Sequence, residues 1–361
     1  MNPAQQLHQA GQSLWLDSIS RQLLSSGTLA RYIEDLAVTG LTSNPTILGH
    51  AMAASADYDD SLRRHLAAGV TDPQELVYAV ALEDLTAAAD LFRPIWEATA
   101  GLDGYVSLEV PPGLAYDAEG SVEVARRLHQ QADRPNLLVK IPGTPPGLTA
   151  LEQLIADGIG INVTLLFSDT HCLQTAGAYL RGLERRAAAG LPLDVASVAS
   201  VFVSRWDQAA DPLLPPPLHA KLGLAVTQKA YASHRSLLCG DRWAALAAAG
   251  ARPQRLLWAS TSTKDPDFPD TYYLGKLAAP DTINTVPEKT LLAFADHGAV
   301  GDLMQPDYAA AEKHLADVAA YGVDVDALGE SLQRHGARAF EADWASLLDA
   351  IATKTAQLPA A

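Results

Sequence analysis

The residue of this sequence best suited to covalent chemistry is a lysine inside an apolar strand. Lys140 lies in residues 136–143 (NLLVKIPG). Apolar neighbours on both sides predict a strand at 137–141 that is buried on both faces. Burial of any lysine disfavours the ammonium form, and a neutral amine attacks carbonyl groups to give a Schiff base. The alternative is a lysine whose stem lines the strand while its head reaches solvent.

Further side chains with useful chemistry stand at or just beyond the ends of other apolar runs. They are Asp17, Asn44, Glu109, Asn162, Thr164, Ser200, Phe202, Arg205, Ser260 and Lys264. The imine of a ketone, once protonated, permits retro-aldol cleavage of the adjacent carbon–carbon bond without a metal or an organic cofactor. Carboxylates suit the proton transfers, amides and hydroxyls suit a polyol, and a guanidinium suits a phosphate.

Most of these residues also have a structural interpretation. The alternatives are helix caps for Asp17 and Asn44, a surface ion pair for Glu109, a polar layer for Asn162 and Thr164, and a helix-start ion pair with Asp207 for Arg205. All of these residues stand at or just beyond predicted strand ends. This shared position favours a functional site, because functional groups of parallel barrels collect at the carboxyl ends of the strands.

Eight strands are predicted to position these groups. They are residues 13–17, 38–42, 105–110, 137–141, 160–165, 198–203, 255–260 and 282–286, separated by helical segments such as 22–34, 121–132, 147–157 and 171–188. The alternation predicts an α/β protein, a (β/α)8 TIM barrel in one domain spanning 1–361. The excess length is assigned to a helical insertion at about 48–100 and to C-terminal helices at about 306–356.

The composition of the chain excludes some classes of binding partner. The chain has 361 residues, a net charge of -16 and a pI of about 4.9, so binding to nucleic acid or to an anionic membrane is not expected. No signal peptide or membrane-spanning run is predicted. The two cysteines, Cys172 and Cys239, are expected to be small buried hydrophobes in a reducing cytoplasm, and the ten histidines to lie at the surface.

Five stretches together resemble the transaldolase family, and specifically its longer bacterial members. They are residues 40–47 (GLTSNPTI), 139–144 (VKIPGT), 160–168 (GINVTLLFS), 199–205 (ASVFVSR) and 257–264 (LWASTSTK). The resemblance covers roughly residues 15–290. It implies a class I aldolase barrel with the Schiff-base lysine on the fourth strand, where the independent strand count also places Lys140.

The resemblance further implies a role for each residue, with sugar phosphates as substrates and no cofactor. Lys140 would form the imine with sedoheptulose 7-phosphate or fructose 6-phosphate, and Asp17 would act as acid and base at the C4 hydroxyl. Glu109 and Thr164 would hold a proton-relaying water. The remaining roles are sugar recognition for Asn44, Asn162 and Ser200, and phosphate binding for Arg205.

The sequence departs from the family at one position and leaves some alternatives open. Better-known members carry a second phosphate-binding arginine after the seventh strand, where this chain has Ser260 and then Lys264 in the loop. Fructose-6-phosphate aldolases of the same scaffold, which release dihydroxyacetone, carry glutamine and tyrosine at the positions of Glu109 and Phe202. A non-catalytic barrel scaffold is the remote alternative. A monomer and a homodimer both remain open.

Overall fold

A closed barrel of eight parallel strands forms the centre of the molecule. The computed structural model describes residues 1–358, the side chain of His50 excepted. The strands are β1 (Gln12–Leu16), β2 (Val38–Thr42), β3 (Val106–Glu109), β4 (Leu137–Pro142), β5 (Ile161–Leu166), β6 (Ser197–Phe202), β7 (Arg255–Ala259) and β8 (Thr282–Val286). Each strand pairs with the next, and β8 pairs with β1 to close the ring. The predicted (β/α)8 barrel is confirmed, and every predicted strand overlaps an observed one.

Helices connect the strands and surround them. They are α1 (Pro3–Gln9), α2 (Arg21–Ser25), α3 (Thr28–Leu36), α4 (Pro45–Ala54), α5 (Asp59–Ala67), α6 (Pro73–Ala98), α7 (Ala118–Ala132), α8 (Pro145–Asp157), α9 (Asp169–Ala188), α10 (Ser204–Ala210), α11 (Leu222–Leu237), α12 (Asp241–Ala248), α13 (Tyr272–Lys276), α14 (Glu288–His297), α15 (Ala309–Ala320) and α16 (Val325–Gln357). Within residues 1–358, no helix is both long enough and apolar enough to cross a bilayer.

The helix predicted at 22–34 is in fact two helices, α2 and α3. Gly27 separates them with a φ of 72°, in the left-handed region that a residue without a side chain adopts at little cost. The apolar periodicity continues across this break, which is why the sequence pattern suggested a single helix.

Strand ends are fixed by helices that start close behind them. Asn44 is the N-cap of α4, and its side chain accepts a hydrogen bond of 3.0 Å from the backbone N–H of Ile47. The cap interpretation is therefore correct for Asn44. It is wrong for Asp17, because Ser20 caps the helix that follows β1. Asp17 is left available at the end of its strand.

The barrel interior below the strand ends is filled by large side chains. Trp15, Leu138, Leu257 and Ile283 are buried there in one cluster. Gly40 makes room for the indole, since a Cβ at this position would stand 2.5 Å from Trp15 Nε1. The interior is thus a packed core rather than a pore, and it forms a rigid floor under the polar groups.

Two expectations about burial were wrong. His234 and His171 are buried, because each faces inward from its helix, α11 or α9. Burial lowers the pKa of His234 to about 4, so it is neutral at physiological pH. Of the two cysteines, Cys172 is buried as expected, whereas Cys239 is exposed after the end of α11.

Candidate active site

The amine of Lys140 is paired with a carboxylate of the neighbouring strand. Lys140 and Glu109 are register partners in β4 and β3. Lys140 Nζ donates to Glu109 Oε2 at 2.9 Å and to the carbonyl oxygen of Ser43 at 3.3 Å. The two side chains are among the buried charged residues of the protein. The lysine head therefore does not reach bulk solvent, and Glu109 does not pair with a surface base.

Glu109 has the surroundings of a proton-transfer group. Burial raises its pKa, the charge and hydrogen bond of Lys140 oppose that rise, and the nearby carboxylate of Asp17 adds to it. A carboxylate of raised pKa beside an amine can accept the proton of that amine. Among the described residues, Glu109 Oε1 and Thr164 Oγ1 have no hydrogen-bond partner although both atoms are buried. Two such atoms suit a water molecule that relays protons.

Asp17, at the end of β1, is the second carboxylate of the site. Burial raises its pKa, while a hydrogen bond from Thr42 and the charge of Lys140 oppose the rise. Thr42 Oγ1 lies 2.7 Å from Asp17 Oδ1 and 2.6 Å from Thr285 Oγ1. The threonine pair thus orients one carboxylate oxygen and leaves the other available for a substrate.

A polar layer inside the barrel supports the hydroxyl groups. Asn162 Nδ2 donates to Ser107 Oγ at 3.0 Å, and Ser200 Oγ donates to Asn162 Oδ1 at 2.7 Å. Asn162 is fully buried and is the register partner of Lys140. The amide of Asn162 thus fixes two neighbouring side chains. Thr164 lies two residues further along β5 and lines the cavity.

Arg205 is held by aromatic rings rather than by an acid. Its Cζ atom lies 5.0 Å from the ring centroid of Phe202 and 5.7 Å from that of Phe340. The helix-start ion pair with Asp207 is not formed, because that carboxylate accepts hydrogen bonds from Tyr273 and from the backbone of Gly223. Within residues 1–358 the guanidinium has no hydrogen-bond partner, and its N–H groups can bind a phosphate bidentately.

The seventh-strand loop contributes weaker candidates. Ser260 has a φ of 56°, a strained value for a residue with a side chain. Its Oγ lies 2.9 Å from Ser204 Oγ, and its carbonyl oxygen accepts from the Ser204 N–H at 3.0 Å. Lys264 is exposed at the rim of the cavity and supplies positive charge without the fork of an arginine.

These groups surround one cavity of about 400 Å³ at the carboxyl ends of the strands. The predicted residues that line it are Asp17, Asn44, Lys140, Thr164, Ser200, Phe202, Arg205, Ser260 and Lys264. Glu109 and Asn162 do not line it, and instead they contact Lys140 and Ser200. The volume is within the range of small-ligand pockets.

The sequence analysis did not identify several lining residues. They are Thr42, Thr46, Ile47, Gln208, Ala259, Ser262, Thr285, Pro287, Phe340 and Asp343. Thr42 lies inside the motif at 40–47 and its β-strand position could have suggested it. Phe340 and Asp343 belong to α16, where no motif or strand end marks them.

The barrel carries a buried lysine–carboxylate pair, a second carboxylate and a guanidinium at its mouth. These are the parts of an aldolase that works through a lysine imine. A profile of the transaldolase/fructose-6-phosphate aldolase family matches residues 14–351. The transaldolase of Frankia alni is 46% identical over 360 residues, which is 97% of this chain and 97% of that protein. The transaldolase of Thermobifida fusca is also 46% identical, over 98% of this chain and 99% of that protein.

The chain belongs to the transaldolase/fructose-6-phosphate aldolase family. A third relative, the transaldolase of Acidothermus cellulolyticus, is 46% identical over 97% of this chain. The predictions of the family, of an enzyme of the transferase class and of transaldolase function are confirmed by these similarities.

Proposed function

We propose that this enzyme transfers a dihydroxyacetone unit from a ketose phosphate to an aldose phosphate through a Schiff base on Lys140. The donor is sedoheptulose 7-phosphate or fructose 6-phosphate, and the acceptor is glyceraldehyde 3-phosphate or erythrose 4-phosphate. This assignment belongs to the non-oxidative pentose phosphate pathway. The observation that carries it is the buried pair of Lys140 Nζ and Glu109 Oε2, 2.9 Å apart, with Lys140 facing the cavity.

Imine formation is the first half of the reaction. The Lys140 amine adds to the ketone carbon, and loss of water from the carbinolamine gives the iminium. Glu109 gives and takes the protons of these steps through a water held with Thr164, a role supported by their two unpartnered oxygens. Asn44 and Ser200 bind hydroxyls of the sugar, and Asn162 holds Ser200 in place.

Carbon–carbon cleavage is the second half. Asp17 takes the proton of the C4 hydroxyl, the C3–C4 bond breaks, and its electron pair moves into the iminium to leave an enamine on Lys140. The aldose phosphate departs, and an acceptor aldehyde reverses the steps, with Asp17 now returning the proton. Arg205 binds the phosphate, and Lys264 adds charge at the rim.

Release of free dihydroxyacetone is the competing activity, because the family includes fructose-6-phosphate aldolases. The names of the three relatives favour transfer. Glu109 and Phe202, where the aldolases carry glutamine and tyrosine, favour it as well. Catalysis in the cytoplasm is part of the proposal, supported by two cysteines that are both free.

Borohydride reduction in the presence of fructose 6-phosphate tests the mechanism. Peptide mass mapping is expected to find a dihydroxyacetone-derived adduct on Lys140 and none on Lys264, the other lysine of the cavity. An adduct elsewhere would overturn the assignment. Addition of erythrose 4-phosphate to unreduced enzyme is then expected to yield sedoheptulose 7-phosphate, whereas accumulation of free dihydroxyacetone would indicate the aldolase activity.

A further inference from the structure

The guanidinium of Arg205 is enclosed by two phenylalanine rings. Phe202 and Phe340 lie on it at 5.0 Å and 5.7 Å, and the two rings meet each other edge to face at 6.5 Å. In the part of the chain that the structure describes, Arg205 makes no hydrogen bond and no salt bridge, and the carboxylate whose charge acts on it is that of Asp343. Its position in the cavity therefore depends on packing against these two rings and against Gly336.

Phe340 comes from outside the barrel, on the C-terminal helix α16. Gln333, two turns earlier on this helix, donates to the carbonyl oxygens of Gly143 at 3.1 Å and Leu165 at 3.0 Å, just beyond β4 and within β5. Gly336 allows close contact, since a Cβ there would stand 3.1 Å from a guanidinium nitrogen of Arg205. These contacts fix the position of α16 relative to the ends of β4 and β5.

The far end of the same helix segment is also fixed. Asp343 accepts a hydrogen bond from Thr46 Oγ1, in the first turn of α4. Asp343 is also the carboxylate whose charge acts on Arg205, but among the described residues the two side chains form no salt bridge. A ring leaves all the N–H groups of an arginine free, whereas a carboxylate would compete with phosphate for them.

We propose that Phe340 is a positioning residue for phosphate recognition, which acts by holding Arg205 in its binding orientation. The C-terminal helix thereby completes a phosphate site whose other parts belong to the barrel. The inference rests on the proposed function for the identity of the ligand. An arginine fixed before the substrate arrives loses less side-chain freedom on binding, so the ring contributes to affinity without touching the phosphate.

The alternative is an effect on the nucleophile, because Lys140 Nζ lies 5.6 Å from the same ring centroid. The two ends of the cavity can be measured separately. Affinity for inorganic phosphate, determined by isothermal titration calorimetry, reports on Arg205 and needs no catalysis. Borohydride trapping of dihydroxyacetone, which has no phosphate, reports on Lys140.

Phe340→Leu is expected to weaken phosphate binding and to raise KM for fructose 6-phosphate by roughly three- to thirtyfold. Trapping of dihydroxyacetone and kcat should stay close to wild type. Phe340→Tyr, which retains the ring, should restore phosphate affinity. In an Arg205→Gln background the Phe340→Leu change should have no further effect on phosphate binding, because the group through which it acts has been removed.

Trp344→Leu is the matched control for damage to the helix. Trp344 lies one turn after Phe340 on α16, and its ring contacts Tyr78 at 5.4 Å rather than Arg205. Equal losses of phosphate affinity in Trp344→Leu and Phe340→Leu would overturn the proposal. So would a loss of phosphate affinity that Phe340→Leu still causes in the Arg205→Gln background, or a loss of dihydroxyacetone trapping in Phe340→Leu. Absence of a Lys140 adduct in the wild type would instead refute the proposed function and leave the phosphate measurement interpretable.

Discussion

Glu109 Oε2 and Lys140 Nζ lie 2.9 Å apart on neighbouring strands, and both side chains are almost completely buried. Removing either charge alone from water is unfavourable, and the pairing offsets much of that penalty. The charge and the hydrogen bond of Lys140 thus favour the ionised form of Glu109, against the effect of burial.

Replacement of Lys140 by methionine should abolish transfer and make stability depend on pH. The variant leaves Glu109 buried without its partner, which raises the pKa of Glu109 further because Lys140 is the group that lowers it. A carboxylate with a raised folded-state pKa contributes stability at low pH that is lost as pH rises. The destabilisation relative to wild type, measured by urea unfolding, should be larger at pH 8 than at pH 5 and reach about 3 kcal/mol.

The control for this prediction is the double variant with Lys140→Met and Glu109→Gln. It has no buried charge at the two positions, so the additional loss between pH 5 and pH 8 should disappear. A loss in Lys140→Met that is equal at both pH values would show that the two groups are not electrostatically coupled.

In a plot of kcat against pH, Thr42→Val should move the acidic limb to higher pH. The hydrogen bond from Thr42 is a cause that lowers the pKa of Asp17, and burial is the larger cause that raises it. Valine keeps the shape and removes the donor, so the pKa of Asp17 rises. Asp17 must be ionised to accept the C4 hydroxyl proton, and a higher pH is then needed for cleavage.

Thr285→Val is the matched control, because Thr285 contacts Thr42 at 2.6 Å but is not bonded to the carboxylate. It should move the limb less than Thr42→Val does. A limb that stays in place in Thr42→Val would assign the cleavage base to another group.

How far sequence reasoning reached depended on how local each signal was. Lys140 could be identified because a charged residue inside a run of apolar residues is unusual, and the strand register then placed it beside Glu109. For Asn44 the sequence left two interpretations open, a helix cap and a site residue. In the structure Asn44 is the N-cap of α4 and also lines the cavity. Such signals lie within a few residues of a strand end.

The missing parts depend on contacts that no local pattern records. Phe340 reads as an ordinary apolar residue of a long helix, and only the crossing of α16 over the mouth brings it to Arg205. An ion pair of Asp207 with Arg205 was the structural alternative to phosphate binding, because the two residues are close in sequence. Buried hydrogen bonds from Tyr273 and Gly223 fix it elsewhere, and these partners come from distant segments.

Asp207→Asn should flatten part of the pH dependence of unfolding. Burial raises the pKa of Asp207 from 3.8 to about 6, so the folded state binds this proton more tightly than the unfolded state. The stability it contributes is full below about pH 4 and is lost as pH rises through about 6. Wild type should therefore lose about 3 kcal/mol relative to Asp207→Asn across this range in urea titrations.

Tyr273→Phe supplies the control for Asp207. The Tyr273 hydroxyl donates to Asp207 Oδ2 at 2.6 Å and lowers its pKa, so removal should shift the loss of stability to higher pH. A wild-type curve parallel to that of Asp207→Asn would show that Asp207 has the same pKa in both states.

Phe202→Tyr should increase release of free dihydroxyacetone relative to transfer, by about tenfold or more. The ring of Phe202 lines the cavity, 5.0 Å from Arg205 Cζ and 5.3 Å from the ring of Phe167. A phenol there adds a hydroxyl that can hold a water for hydrolysis of the three-carbon intermediate. Product analysis with and without erythrose 4-phosphate gives the ratio, and phosphate affinity should stay unchanged because the ring beside Arg205 is kept. A constant ratio would mean that an added hydroxyl at this position does not bring water to the imine.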